Sequence, residues 1–228
     1  MAASRSWPSF MSKRAILLLV IAALAAGLGL WASQRMHGPV APAVAPAPAT
    51  KVVTVLPNAR TLPAFELQQS DGTPLTADEL KGHWTLVFLG FTHCPDVCPT
   101  TLAQFAKAQK AWAALPESSR PRVLFVSVDP ERDSPDQVGD YAHGFHRDTL
   151  AATGDIPALE QFAQGLSMTF AKAPMEPGQP ADQYSVDHTA SLALLDPEAR
   201  MAGVLSSPYD IDAVTADLIA LTQHGERR

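Results

Sequence analysis

The chain has 228 residues, 46% of them apolar and 7% aromatic, which is room for one domain of ordinary size plus additions. Its net charge is −6; the first 14 residues carry only Arg5, Lys13 and Arg14, so the remainder holds 14 basic against 23 acidic residues, or −9. An acidic body argues against nucleic acid as a partner.

The first element is the run AILLLVIAALAAGLGLWA, residues 15–32, with no charge in it. Eighteen apolar residues are enough to cross a hydrocarbon core as a helix. The basic residues before it leave 1–14 in the cytoplasm and send the rest across, with Trp31 at the far interface. A cleaved leader is the rival reading, but the apolar run is long for one and Trp31 and Ser33 make a poor cleavage pair. No cysteine stands here for lipid attachment. A single retained anchor over 15–33 is expected, in a bacterial inner membrane with the body in the periplasm. The alternative is a mitochondrial inner membrane with the body in the intermembrane space. Either compartment oxidises unprotected thiols.

Residues 34–57 read as a linker. Its core, GPVAPAVAPAPAT, alternates Pro and Ala and resembles a polyproline spacer at about 3 Å per residue, so the linker reaches up to about 70 Å when extended. The domain is expected over 58–228. FELQQSDGTPLT reads as two short strands about an Asp71-Gly72 turn. Thr76 and Glu79 have capping-box spacing and predict a short helix. WTLVFLGF, 84–91, is a continuous apolar run and predicts a buried central strand. Residues 100–115 predict a helix with Leu102, Phe105, Ala106, Gln109 and Trp112 on one face and Pro116 as its stop. A second buried strand is expected over 123–129. Ser134, Pro135 and Gln137 mark the next helix start. A short strand over 149–152, a helix over 156–165, an antiparallel pair over 191–196 and 201–205, and a closing helix capped by Asp210 complete the chain. This order predicts an α/β domain, a mixed sheet covered by helices on both faces, of thioredoxin-like architecture.

Both cysteines of the chain, Cys94 and Cys98, lie in GFTHCPDVCP, between the central strand and the following helix. A helix N-terminus stabilises thiolate. Pro95 suits a first helical turn, whereas Pro99 predicts a bent start. A structural disulfide would close too small a loop to stabilise much. A redox-active disulfide is the second reading, with one more intervening residue than thioredoxin-type motifs carry. Metal is the third: two thiolates and a histidine form a soft trigonal set that suits copper(I). Of the seven histidines, His37 lies in the linker and His224 near the C-terminus, and His143 and His146 share a predicted helix. His83 is in a turn, and His93 adjoins Cys94. His188 lies just before a predicted strand, where a loop beside the sheet could bring it over the cysteines. Spacing leaves the choice open.

GFTHCPDVCP, VDPERD (128–133) and DQYSVDHTASLALLDPEAR (182–200), following a single anchor, resemble the Sco/SenC proteins. The resemblance spans about residues 58–223. It implies a thioredoxin-like fold and a membrane-anchored copper chaperone of cytochrome c oxidase assembly, not an enzyme. It also implies copper, as Cu(I) or Cu(II), on Cys94, Cys98 and His188, destined for the dinuclear copper site of oxidase subunit II. A copper donor and a thiol reductant are then further partners. The alternative function is a thiol-disulfide reductase or redox sensor that acts on subunit II through Cys94 and Cys98. The family pattern places VDPERD near the metal loop, where Asp129 is expected to tune the site or meet a partner, with no ligand role. Two departures from it are Ala193, where relatives often carry an aromatic, and Ala199, where they carry Gly.

Overall fold

The computed structural model describes residues 13–37, 49–173, 180 and 183–225. The expected cytoplasmic stretch 1–14 lies outside these except for its last two residues. Residues 38–48 of the linker also lie outside them, as does Asp182 of the third motif. Residues 1–46 and 47–228 form two separate units.

In the first unit, α1 (Lys13–His37) is a 25-residue helix. Its segment Ile16–Ser33 is long and apolar enough to cross a membrane, and its leucines are exposed.

The second unit runs β1 (Val53–Thr61), β2 (Leu67–Gln69), β3 (Pro74–Leu75), β4 (Thr85–Gly90), α2 (Val97–Trp112), β5 (Arg122–Ser127), α3 (Pro135–His143), β6 (Leu150–Thr153), α4 (Ile156–Gly165), β7 (Phe170–Lys172), β8 (Val186–His188), β9 (Leu192–Leu195), β10 (Arg200–Leu205) and α5 (Ile211–Gly225). Eight strands form one sheet in the order β1-β10-β9-β4-β5-β6-β2-β3, while β7 and β8 form a separate ribbon. β4, β5 and β6 are parallel, and the flanking pairs are antiparallel. The sheet is therefore mixed, as expected.

Side-chain alternation along the central strands builds two cores. Leu86, Phe88, Val123, Phe125, Leu192 and Leu194 point to the face covered by α2, α3 and α5. Val87, Leu89, Leu124, Val126, Ala193 and Leu195 point to the face covered by α4. All six residues of β4 are buried, which explains its unbroken apolar run. The predicted face of α2, Leu102, Phe105, Ala106, Gln109 and Trp112, is buried. Burying a ring such as Phe105 or Phe125 contributes about 1.5–3 kcal/mol.

Several expectations need correction. The domain does not begin at Asn58: β1 starts at Val53, inside the expected linker. It is held there by the Asp217 carboxylate of α5, which accepts hydrogen bonds from the backbone N–H groups of Lys51, Val52 and Val53 at 2.9–3.1 Å. The expected short helix after Thr76 is a single 3₁₀ turn, Asp78–Leu80. Glu79 reaches back to the Thr76 N–H at 2.8 Å, so the reciprocal contact survives without a full helix. The ribbon β7–β8 was not expected at all.

Candidate metal centre

The cysteine loop leaves β4 at Gly90 and enters α2 at Val97, so the helix starts three residues before the position expected from its apolar face. Pro95 lies outside the helix and Pro99 is its third residue. An N–H in the first turn has no partner within the helix, so Pro99 removes none of its hydrogen bonds and imposes no break. The N-cap, Asp96, makes no side-chain capping bond.

Cys94 is half-buried in the loop and Cys98 is buried as the second residue of α2; neither is in a disulfide. The Cys98 N–H donates to Cys94 Sγ at 3.5 Å. Burial pushes the Cys94 thiol up, but bonds from the Cys98 backbone, the Asp96 backbone, the Cys98 side chain and the Val97 backbone outweigh it. The thiol settles below its ordinary value. For Cys98, burial dominates and pushes the thiol well up, against a backbone bond with Phe91. One sulfur is thus accessible and inclined to ionise, while the other is enclosed and protonated until an ion displaces its proton.

His188 is the last residue of β8, not a loop residue before a strand. Its Nε2 lies 3.9 Å from Cys98 Sγ. Its Nδ1 lies 3.2 Å from the Thr189 carbonyl. A carbonyl only accepts, so Nδ1 carries the hydrogen and Nε2 of the neutral ring keeps its lone pair toward the sulfur. Burial lowers the His188 pKa, opposed by the Thr189 bond and by Asp187, and this favours the neutral form that binds metal. The ring edge packs against Phe88 and Phe91 at centroid distances of 6.0 and 6.3 Å.

Thiolate and imidazole donors at about 2.3 and 2.0 Å from one ion, in trigonal geometry, lie about 3.7 Å apart. The observed 3.9 Å puts Cys98 and His188 close to that spacing. Cys94 lies next to Cys98, its Sγ accepting the Cys98 N–H at 3.5 Å, but the three ligand atoms do not all lie within 4.8 Å of one another, so a three-ligand set needs a rearrangement of the loop.

The other histidines are elsewhere. His83 is buried, with Nδ1 2.9 Å from the Arg120 carbonyl. His143 ends α3, but His146 lies beyond it and accepts the Asp148 N–H at Nδ1. His93 turns its Nδ1 toward Thr92 Oγ1 at 3.1 Å and Asp133 Oδ1 at 3.3 Å.

Sequence reasoning placed VDPERD near the loop and singled out Asp129, but missed Asp133. Asp133 is buried beneath it and accepts from the Thr92 N–H (2.8 Å), Thr92 Oγ1 (2.5 Å) and Ser127 Oγ (2.5 Å). His93, Asp129 and Asp133 offer ligand atoms within 4.8 Å of one another. Both carboxylates are already engaged by donors of the chain, so this cluster is a hydrogen-bonded brace. The VDPERD motif was the available signal, though its partners lie too far along the chain to be read from it.

A family profile described as SCO1/SenC matches residues 54–223. A putative copper-binding protein of Stutzerimonas stutzeri is 32% identical over 164 residues, covering 71% of this chain and 77% of the relative. The mitochondrial protein SCO1 homolog 1 of Arabidopsis thaliana is 33% identical over 157 residues, covering 68% of this chain; the chain spans only 45% of that relative's length. Among solved structures, Arabidopsis thaliana ScoI with copper bound matches with a TM-score of 0.64 at 30% identity, over 71% of this chain and 98% of that one.

Proposed function

Because the chain belongs to the SCO1/SenC family, we propose that it is a membrane-anchored copper carrier that loads the dinuclear copper site of cytochrome c oxidase subunit II. The observation that carries this reading is the approach of His188 Nε2 to Cys98 Sγ at 3.9 Å, with Cys94 next to Cys98 and the imidazole tautomer already suited to a metal. Cys94, Cys98 and His188 are the proposed ligands. Two thiolates hold Cu(I) well, and the imidazole extends the set to Cu(II). Release proceeds by ligand exchange to cysteines of the client, with no substrate bond broken, so the chain is not an enzyme in this role.

In the proposed layout, residues 1–14 are cytoplasmic, 15–33 cross a bacterial inner membrane, and the spacer from residue 34 ends before the first strand at Val53. The domain that follows faces the periplasm. Anchor and spacer keep it near a membrane-bound client and raise its effective concentration there. A copper donor and a thiol reductant must act upstream, because both sulfurs have to be reduced before metal binds.

The test is the copper content and absorption spectrum of the reduced full-length chain in detergent. We expect one copper per chain, with binding lost in Cys94→Ser and Cys98→Ser and Cu(II) held far more weakly, though measurably, in His188→Ala. Wild-type stoichiometry and spectrum in His188→Ala would refute the ligand set.

The asymmetry of the two thiols supports a second role. An ionisable, accessible Cys94 can attack a client disulfide, and the buried Cys98 can resolve the mixed disulfide, leaving Cys94–Cys98 oxidised and the client dithiol reduced. That role needs no histidine. Full rescue of oxidase assembly by His188→Ala in cells would favour it over copper delivery.

A further inference from the structure

The turn Asp129–Asp133 touches both halves of the candidate site. It is a single tight turn, closed by the Asp133 and Arg132 N–H groups on the Asp129 carbonyl at 2.9 and 3.2 Å. At one end, Asp133 takes three hydrogen bonds from Thr92 and Ser127 and so fixes the backbone two residues before Cys94. At the other end, Asp129 accepts from Tyr184 Oη at 2.5 Å and from Arg132 Nε at 2.6 Å. Arg132 Nη1 donates to the Tyr184 carbonyl at 2.9 Å, and its guanidinium lies 3.7 Å from the centre of the Tyr184 ring. The same guanidinium stands 5.8 Å from the Phe91 ring, which itself meets the edge of His188.

Tyr184 lies four residues before His188 and two before β8 begins. The strand has three residues and, among the described residues, pairs only with the three-residue β7 and shares no ladder with the main sheet. A ribbon this short does not hold its place alone. After His188, Tyr209 Oη ties down the Ala190 carbonyl at 2.6 Å. Before it, the Asp129–Arg132–Tyr184 contacts lead back to the turn under the cysteines, alongside the Lys172–Glu131 ion pair at 2.6 Å and the buried side chain of Val186. Asp129 is not available as a ligand, since both its oxygens are occupied by these two side chains.

We propose that Asp129, Arg132 and Tyr184 are positioning residues that set the distance of His188 from the two cysteines, with Asp133 of the same turn setting the cysteine loop. The proposal rests on the copper reading above. Metal-site partners outside the ligand set govern affinity through the ligands they orient. The effect of this group must therefore pass through His188 and vanish when His188 is absent.

The experiment is a double-mutant cycle on the full-length chain in detergent, reduced, with Cu(II) affinity measured by chelator competition. Tyr184→Phe removes one hydroxyl and keeps the ring beneath Arg132. It should weaken Cu(II) binding about tenfold in the wild-type background and shift the sulfur-to-copper absorption band. In the His188→Ala background it should change affinity by less than about twofold. Without metal, amide exchange over residues 184–190 should accelerate while α2 stays protected. Arg132→Lys should reproduce the pattern, and it decides the question if Tyr184→Phe loses its native circular dichroism. Equal losses in both backgrounds, or no loss in the wild-type background, would overturn the positioning role and leave the copper reading intact. A wild-type chain that takes up no copper would overturn both.

Discussion

Gly90 ends β4 where the chain turns toward Cys94, and a side chain there would enter occupied space. A Cβ at this position would lie 2.7 Å from Phe125 Cε2 and 2.8 Å from Cys98 Sγ. Normal contact is about 3.5 Å or more, so Gly90→Ala must displace the ring, the sulfur or both by about 0.7 Å. The ring has little freedom: Phe125 is buried and packs on Phe88 and Tyr141 at 5.8 and 5.6 Å. Overpacking of this kind costs about 1–3 kcal/mol, or about 2–12 °C in Tm for a domain of this size. A sulfur moved by that amount exceeds the roughly 0.5 Å tolerance of a preorganised site. We expect Gly90→Ala to bind copper about tenfold more weakly, measured by chelator competition alongside a thermal melt. Gly203→Ala is the control. Its Cβ would meet the Thr54 carbonyl at 2.8 Å, in β10 and away from the cysteines, so it should lose stability and keep copper affinity. Unchanged copper affinity in Gly90→Ala, or an equal loss in Gly203→Ala, would refute the reasoning.

The two thiols should also react differently. Hydrogen bonds that favour the Cys94 thiolate move its alkylation midpoint below the ordinary value of 9.0, and Cys98 should stay unlabelled until the chain unfolds. Mass spectrometry after iodoacetamide treatment across pH reads both; labelling of Cys98 first would contradict the structure. Asp217→Asn replaces a carboxylate that gathers three backbone N–H groups, and should cost about 1.5–3 kcal/mol, or about 3–12 °C in Tm. Melting and amide exchange at Lys51–Val53 check it, and an unmoved Tm would show that the start of β1 is held by its pairing with β10 alone.

The elements legible in the sequence are those whose pattern is local. The apolar runs of β4 and β5 gave central strands because both faces are covered. Ser134, Pro135 and Gln137 form the predicted capping box, with Gln137 closing on the Ser134 N–H at 2.9 Å. Asp210 caps α5 as expected, accepting the Ala213 N–H at 3.0 Å. β1 was missed because its side chains are mostly part-exposed, Pro57 interrupts it, and its register shifts between Val55 and Arg60. Its existence depends on β10 and Asp217, which lie 139 residues or more downstream of the residues they pair with. β7 and β8 have three residues each and no apolar run, so only their mutual pairing defines them. The cysteines announced a site by their spacing. His188 did not: one histidine among seven, ninety residues away, became a candidate ligand only through the family pattern. Pro99 was expected to bend the helix start; the helix begins at Val97 with Pro99 in its first turn, and the start is irregular, with Asp96 at φ −141°, ψ −62° and no side-chain cap.

The loop between those prolines bears on how an ion leaves. Pro95 and Pro99 lack N–H groups, and the three residues between them, Asp96, Val97 and Cys98, turn theirs toward the sulfur of Cys94. In the proposed copper role, the negative charge left on that sulfur when the metal departs would rest among fixed dipoles and would not have to wait for water to reorganise around it. The backbone would solvate the departing state in advance, which would favour release.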